Sequence, residues 1–138
     1  MSISTKKLRS RLKRMWPDLK HIWLTDPIYK EVPNKEIEKA LSLWEGELRK
    51  YSFKKNLMEC EEFALFCHAF IKQHQMFNYN DKYNWAYGEC ITSKLLGFEN
   101  IHSCNLYLTS NNIYMVEPQT GAFWEADPKL DTVFFVKM

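Results

Sequence analysis

The feature that most constrains the fold is a change of hydrophobic period about halfway along the chain. Ile37, Leu41, Trp44, Leu48 and Tyr51 recur at i, i+4, i+7, i+11 and i+14, a spacing that only a 3.6-residue period gathers on one face. Asn34, just ahead of this stripe, is a residue type suited to an N-cap. A second helix is predicted from Cys60 to about Gln75. Phe63, Ala64, Phe66, Cys67, Phe70 and Ile71 make it apolar around much of its girth, the pattern of a buried central helix. Beyond residue 82 the period shortens. Residues 83–91, 102–109, 113–117 and 131–137 are rich in Tyr, Ile, Val and Phe and read as strands, with Ser110-Asn111-Asn112 as a hairpin turn. Helices first and strands second predict an α+β fold, with N-terminal helices packed on a C-terminal antiparallel sheet.

The 138 residues suit one domain, residues 1–138, and the 46% hydrophobic and 26% charged content excludes intrinsic disorder. The formal charge of +2 conceals an asymmetry, because residues 1–20 hold seven Lys and Arg against one acid. Within them, Leu8, Leu12 and Met15 take helical spacing up to Pro17, so residues 1–20 are expected to form a basic helical arm. The favoured reading of that arm is a solvated face that packs its Leu stripe; the other is a contact with an anionic partner such as nucleic acid or a phospholipid surface. Residues 17–33 carry three prolines without a clear period and are expected to be an extended connector. No stretch has the roughly 18 apolar residues of a membrane span, and the first 20 residues lack an apolar signal core. A cytoplasmic, reducing location is therefore expected, with Cys60, Cys67, Cys90 and Cys104 as free thiols. The Lys-rich, Arg-poor usage suits an AT-rich genome, that of a bacterial host or its phage.

Among the four cysteines, no tight C-x2-4-C pair speaks for structural zinc. On a helix, Cys60, Cys67 and His74 fall about 10 Å apart in succession, too far to share an ion. Cys60 differs from the others in standing where the helical period begins. A thiol at a helix N-terminus meets unpaired backbone N–H groups and the positive end of the dipole, which favour a thiolate and can hold an oxyanion. A cysteine nucleophile also needs a base and an orienting group. His102 opens one predicted strand, and the tight hairpin that follows brings the region of Glu117 back beside residues 102–105. A carboxylate there can fix the imidazole tautomer.

Three sequence blocks carry a resemblance. CEEFA at 60–64 resembles the C-D-D-F-A block of papain-like cysteine peptidases of the bacterial transglutaminase-like kind. HSCNLYL with the following YMVEPQTG resembles the His and Glu-Pro-Gln blocks of the papain-like protease domain of the Marasmius oreades agglutinin. The blocks keep their order and span about residues 53–124. The resemblance implies a papain-like or transglutaminase-like fold and a cysteine peptidase, amidase or transglutaminase-like hydrolase acting on a peptide or protein substrate. In it Cys60 is the nucleophile, His102 the base and Glu117 the orienting acid. Gln119, Trp85 and Asn105 are its substrate-binding or oxyanion candidates. Calcium dependence is implied too, with Glu61, Glu62 and Asp127 as candidate ligands, although paired Glu replaces the family's paired Asp and YSFKKNLME holds no oxyanion Gln.

A second reading keeps the scaffold and drops the chemistry: an inert binding or assembly protein of a phage or bacterium. Cys67 reads as core, Cys90 and His68 as packing or surface, and Cys104 as either a buried thiol or part of the cleft. An aromatic strand is usually core, so Trp85 can equally be packing. Asp127 and Asp131 can equally be ordinary turn residues.

Overall fold

The computed structural model describes residues 1–138. Its hydrophobic stripes account for its helices. Helix α1 (Thr5–Met15) is capped by the Ser4 hydroxyl, which accepts from Lys7 N, and it buries Leu8 and Leu12. Helix α2 (Asn34–Glu47) buries Ile37, Ala40, Leu41 and Trp44. Its cap is Pro33, without a side-chain hydrogen bond, rather than Asn34. Helix α3 (Cys60–Asn78) begins with a reciprocal capping box between Glu59 and Glu62. Its buried stripe is Phe63, Ala64, Cys67, Ile71 and Gln75. Leu65 and Phe66 face outward instead, Phe66 lying 5.4 Å from the Tyr51 ring, so the helix is covered on one side rather than all round.

Eight strands complete the chain. They are β1 (Ser2–Ser4), β2 (His21–Trp23), β3 (Ile28–Lys30), β4 (Tyr87–Leu95), β5 (Phe98–Leu108), β6 (Ile113–Glu117), β7 (Ala122–Glu125) and β8 (Thr132–Lys137). β1 and β3 pair alone, and the other six form one sheet in the order β2-β8-β4-β5-β6-β7.

This topology corrects the expected architecture of N-terminal helices followed by a C-terminal antiparallel sheet. The chain opens on a strand, and the segment expected to be an extended connector supplies β2, which joins the sheet parallel to β8. The sheet is therefore mixed. The helices do not form one layer on it: α3 lies against β4 and β5, α2 against α3, and α1 against β1. A three-residue strand carries too little periodic signal to be seen in sequence; the pairing of Ile22 with Val136 exists only once the two ends of the chain meet.

The central register is fixed by side chains. Tyr87, Tyr107 and Tyr114 face one another across β4, β5 and β6, with ring centroids 6.2 and 5.0 Å apart and planes within 12° of parallel. A one-residue slip would send one ring to the opposite face and break this ladder. Asn105 ties helix to sheet. Fully buried, its Nδ2 donates to Ala64 O on α3 at 2.9 Å and to Gly88 O on β4 at 3.1 Å. Gly88 is required there, because a Cβ would come within 2.2 Å of the Lys137 carbonyl.

Asp131 is buried and joins four segments. One carboxylate oxygen accepts from Leu96 N at 2.9 Å, and the other accepts from Trp124 Nε1 and Asp127 N at 3.2 Å each. Its carbonyl accepts from Trp16 Nε1 at 2.8 Å. It thereby holds the two-residue turn between β4 and β5, where Leu96 (φ 50°) and Gly97 (φ 85°) both take the left-handed conformation of a type I′ hairpin. Replacing Asp131 with Ala strands three N–H donors, each costing about 1–3 kcal/mol when buried. Asp131→Ala is expected to lose about 3 kcal/mol in urea denaturation, and Asp131→Asn less; equal stability of Asp131→Ala and wild type would contradict this role.

Candidate functional site

The structure brings His102 and Glu117 together. His102 lies on β5, facing Thr92 of β4, and Glu117 ends β6. The imidazole N–H at Nε2 donates to Glu117 Oε2 at 2.6 Å, and both side chains are more than four-fifths buried. The other carboxylate oxygen accepts from Gln119 N at 3.0 Å, while the intervening Pro118 carbonyl accepts from Trp44 Nε1 of α2 at 2.8 Å. Glu117 is thus fixed at both oxygens, and its strand end is anchored to α2. The turn continues through Gly121 (φ 81°), where a Cβ would meet the Glu45 side chain at 2.5 Å.

Cys60 is the first residue of α3 and is half-exposed. Asn105 holds Ala64, and β5 runs parallel to α3, so Cys60 lies at the same end of the molecule as His102. Its thiol S–H donates to Glu61 Oε2 at 3.4 Å. The other cysteines are buried. Cys67 Sγ lies 3.0 Å from Tyr87 Oη, and burial pushes its thiol up to about 12. Cys90 and Cys104 are register partners 3.4 Å apart at sulfur, and the Cys104 thiol is raised by its bond to Cys90 and by burial.

Other sequence-derived candidates lie elsewhere. Asn105 is the buried clamp already described, and Trp85 is buried seven residues before Thr92, about 20 Å along the strand direction from His102. Glu62 is committed to the capping box and Glu61 to Cys60, whereas Asp127 Oδ1 accepts from Lys129 N in the turn before β8. These three carboxylates are not brought into one cluster, and no group of three His, Cys, Asp or Glu side chains converges as metal ligands would.

A polar cleft of about 310 Å³ opens at the opposite end of α3, where the chain turns into β4. Its signal in the sequence is the run YNDKYN at 79–84, polar and aromatic together between a helix and a strand, which carries no period and no catalytic motif. Asp81 organises it. Its Oδ1 accepts from Lys30 Nζ at 2.5 Å, and its Oδ2 accepts from Gln75 Nε2 at 3.0 Å and Trp85 Nε1 at 3.1 Å. Gln75 also donates to Tyr83 O and accepts from Trp85 N, both at 2.9 Å. Burial alone would raise the Asp81 carboxyl, but the bonds from Lys30, Gln75 and Trp85 with the Lys30 charge outweigh it and hold the group below its usual value. Tyr79 packs between His74 and Trp85, with centroids 5.8 and 5.5 Å away.

No family model matches this sequence, and no curated protein matches it. Among solved structures, the chain is similar to PSL1a in its complex with E64, with a TM-score of 0.78 and 16% identity over 99% of this chain and 51% of that one. It is also similar to Polyporus squamosus lectin bound to the human-type influenza-binding epitope Neu5Acα2-6Galβ1-4GlcNAc, with a TM-score of 0.76 and 16% identity over 99% of this chain and 49% of that one. At this identity the likeness shows the fold. The chain spans about half the length of the chains it matches.

These findings correct the family resemblance. The fold that matches is carried by a lectin, and the papain-like or transglutaminase-like assignment is not sustained. The readings built on it fall with it: hydrolase, cysteine protease, catalytic triad, and a peptide or protein substrate as partner. The blocks that suggested them are short, and CEEFA also serves an ordinary structural purpose as the capped first turn of α3.

Asp81 yields a pH prediction. Its carboxyl is held below the usual 3.8, so its contribution to stability is fully present above that value and is lost as pH falls through the lower folded value. Amide exchange at residues 79–85 is expected to accelerate below about pH 4 in wild type. Asp81→Asn should remove this acid-dependent part; an unchanged profile in that variant would assign the effect to other groups.

Proposed function

We propose that this chain is a carbohydrate-binding module. The observation that carries the reading is its likeness over 99% of its length to lectin structures, one of them bound to a sialylated trisaccharide. The cleft beside Tyr79 and Tyr83 supports it physically. Its volume lies in the range of small-molecule sites, and it combines aromatic rings with amide and ammonium donors, the mixture that grips a sugar's C–H face and its hydroxyls. On an array of neutral, sialylated and sulfated oligosaccharides, the full chain is expected to retain at least one glycan class with a Kd between about 1 µM and 1 mM, about −8 to −4 kcal/mol. A blank array at 100 µM protein would sink the reading.

A second reading rests on the 2.6 Å contact between His102 and Glu117. In this reading Cys60, which begins α3 at the same end of the molecule, is the thiol that the Glu117-oriented imidazole serves. Iodoacetamide at pH 6 is expected to modify Cys60 more than about a hundredfold faster than Cys67, whose thiol is pushed up to about 12. His102→Ala should slow Cys60 alkylation by about tenfold. E64, the compound held by PSL1a, is a second probe and should leave one adduct per chain at Cys60. Equal Cys60 rates in wild type and His102→Ala would show three independent residues.

A further inference from the structure

The charge distribution around the α3–β4 cleft names a class of ligand. Asp81 is the acid of the 79–84 loop, and both its oxygens are consumed by Lys30, Gln75 and Trp85. Lys30 is neutralised in the same contact. Asn84 is also occupied, donating from Nδ2 to Asp26 Oδ2 at 2.9 Å. Lys72 and Lys82 remain on the cleft wall, both exposed and neither in an ion pair. Exposed Asn80 stands between the two half-buried rings of Tyr79 and Tyr83. Lys82 Nζ lies 5.3 Å from the centroid of the Tyr83 ring, so an ammonium already sits beside an aromatic face.

From this arrangement we infer that the cleft formed by Lys72, Tyr79, Asn80, Lys82 and Tyr83 is a binding site for an acidic sugar, with Lys72 and Lys82 receiving its carboxylate. The inference rests on the carbohydrate-binding reading and assigns that function a site and a charge preference. Three features support it. The free charges of the cleft are both positive, whereas a neutral sugar requires none. The loop is held in place before any ligand arrives, because Asp81 and Gln75 fix its backbone and its two flanking elements, which lowers the ordering cost of binding. The rings offer an apolar wall for the C–H face, while the lysines offer charge-assisted hydrogen bonds to a carboxylate.

The test is an amide chemical-shift titration of the full chain with two probes, Neu5Acα2-6Galβ1-4GlcNAc and its neutral parent Galβ1-4GlcNAc. The sialylated probe is expected to shift residues 72–84 and to bind at least about tenfold more tightly than the parent. Lys72→Gln and Lys82→Gln, both exposed changes that leave the Asp81 contacts intact, should each weaken it about five- to tenfold and steepen no binding of the parent. Tyr83→Ala should weaken both probes alike. Shifts centred elsewhere, or unchanged affinity in both lysine variants, would overturn this site while leaving carbohydrate binding standing. Failure of both probes together with a blank glycan array would instead overturn the carbohydrate reading itself.

Discussion

The docking of α3 on β4 and β5 is the constraint on which the functional geometry depends. Asn105 enforces it, with a single buried amide that bonds the helix backbone at Ala64 and the strand backbone at Gly88. An apolar residue of similar volume would fill the space yet leave the helix free to slide. The amide specifies one position, because its donors are satisfied only where both carbonyls stand within reach. Cys67 adds a second polar contact to Tyr87, and Gln75, eight residues further along the same buried stripe, adds a third to the backbone of Trp85. Fixing the middle of a helix in this way fixes both its ends. One end carries Cys60 toward the sheet end that bears His102, and the other delivers the chain into the 79–84 loop.

The two ends are built on different physics. At the first, the aromatic ladder of Tyr87, Tyr107 and Tyr114 sets the register of β5 against β6, and that register is what allows His102 to meet Glu117. Trp44 of α2 then holds the Pro118 carbonyl, so the carboxylate is positioned by a helix distant in sequence. At the second, a buried-side carboxylate, Asp81, organises a polar network that gathers Lys30 from β3, Gln75 from α3 and Trp85 at the entrance to β4. The network turns its acid inward and leaves cations outside, which gives the cleft its sign. Asp131 performs a comparable service for the β4–β5 hairpin, where it replaces backbone partners that a tight turn cannot supply.

Much of the scaffold was legible in the sequence. The stripe from Ile37 to Tyr51, the start of a helix at Cys60 and the strand at residues 113–117 follow from periodicity, because a residue's face is decided locally. The proximity of His102 and Glu117 could also be read, since a short hairpin leaves few ways to pair its strands. β2 and β7 were not legible. Three or four residues give no usable period, and β2 exists only through its parallel pairing with β8 more than a hundred residues later. The family resemblance misled because CEEFA and EPQTG are short blocks whose residues also satisfy local structural needs, a capped helix start and a tight turn, whatever the protein does.

The sequence by itself determined the main buried stripes of the helices and the start of α3 at Cys60, because propensity, capping and amphipathic spacing act over a few residues. Only the tertiary structure decided which polar residues became free to act. Asp81, Asp131 and Asn105 look like any loop or strand polar residue in one dimension. Folding desolvates them and commits Asp81 and Asp131 at both carboxylate oxygens and Asn105 at its amide nitrogen, which removes them from the surface chemistry. Lys72 and Lys82 are left unpaired by the same process. That division arises from contacts between residues far apart in the chain, so no local pattern encodes it.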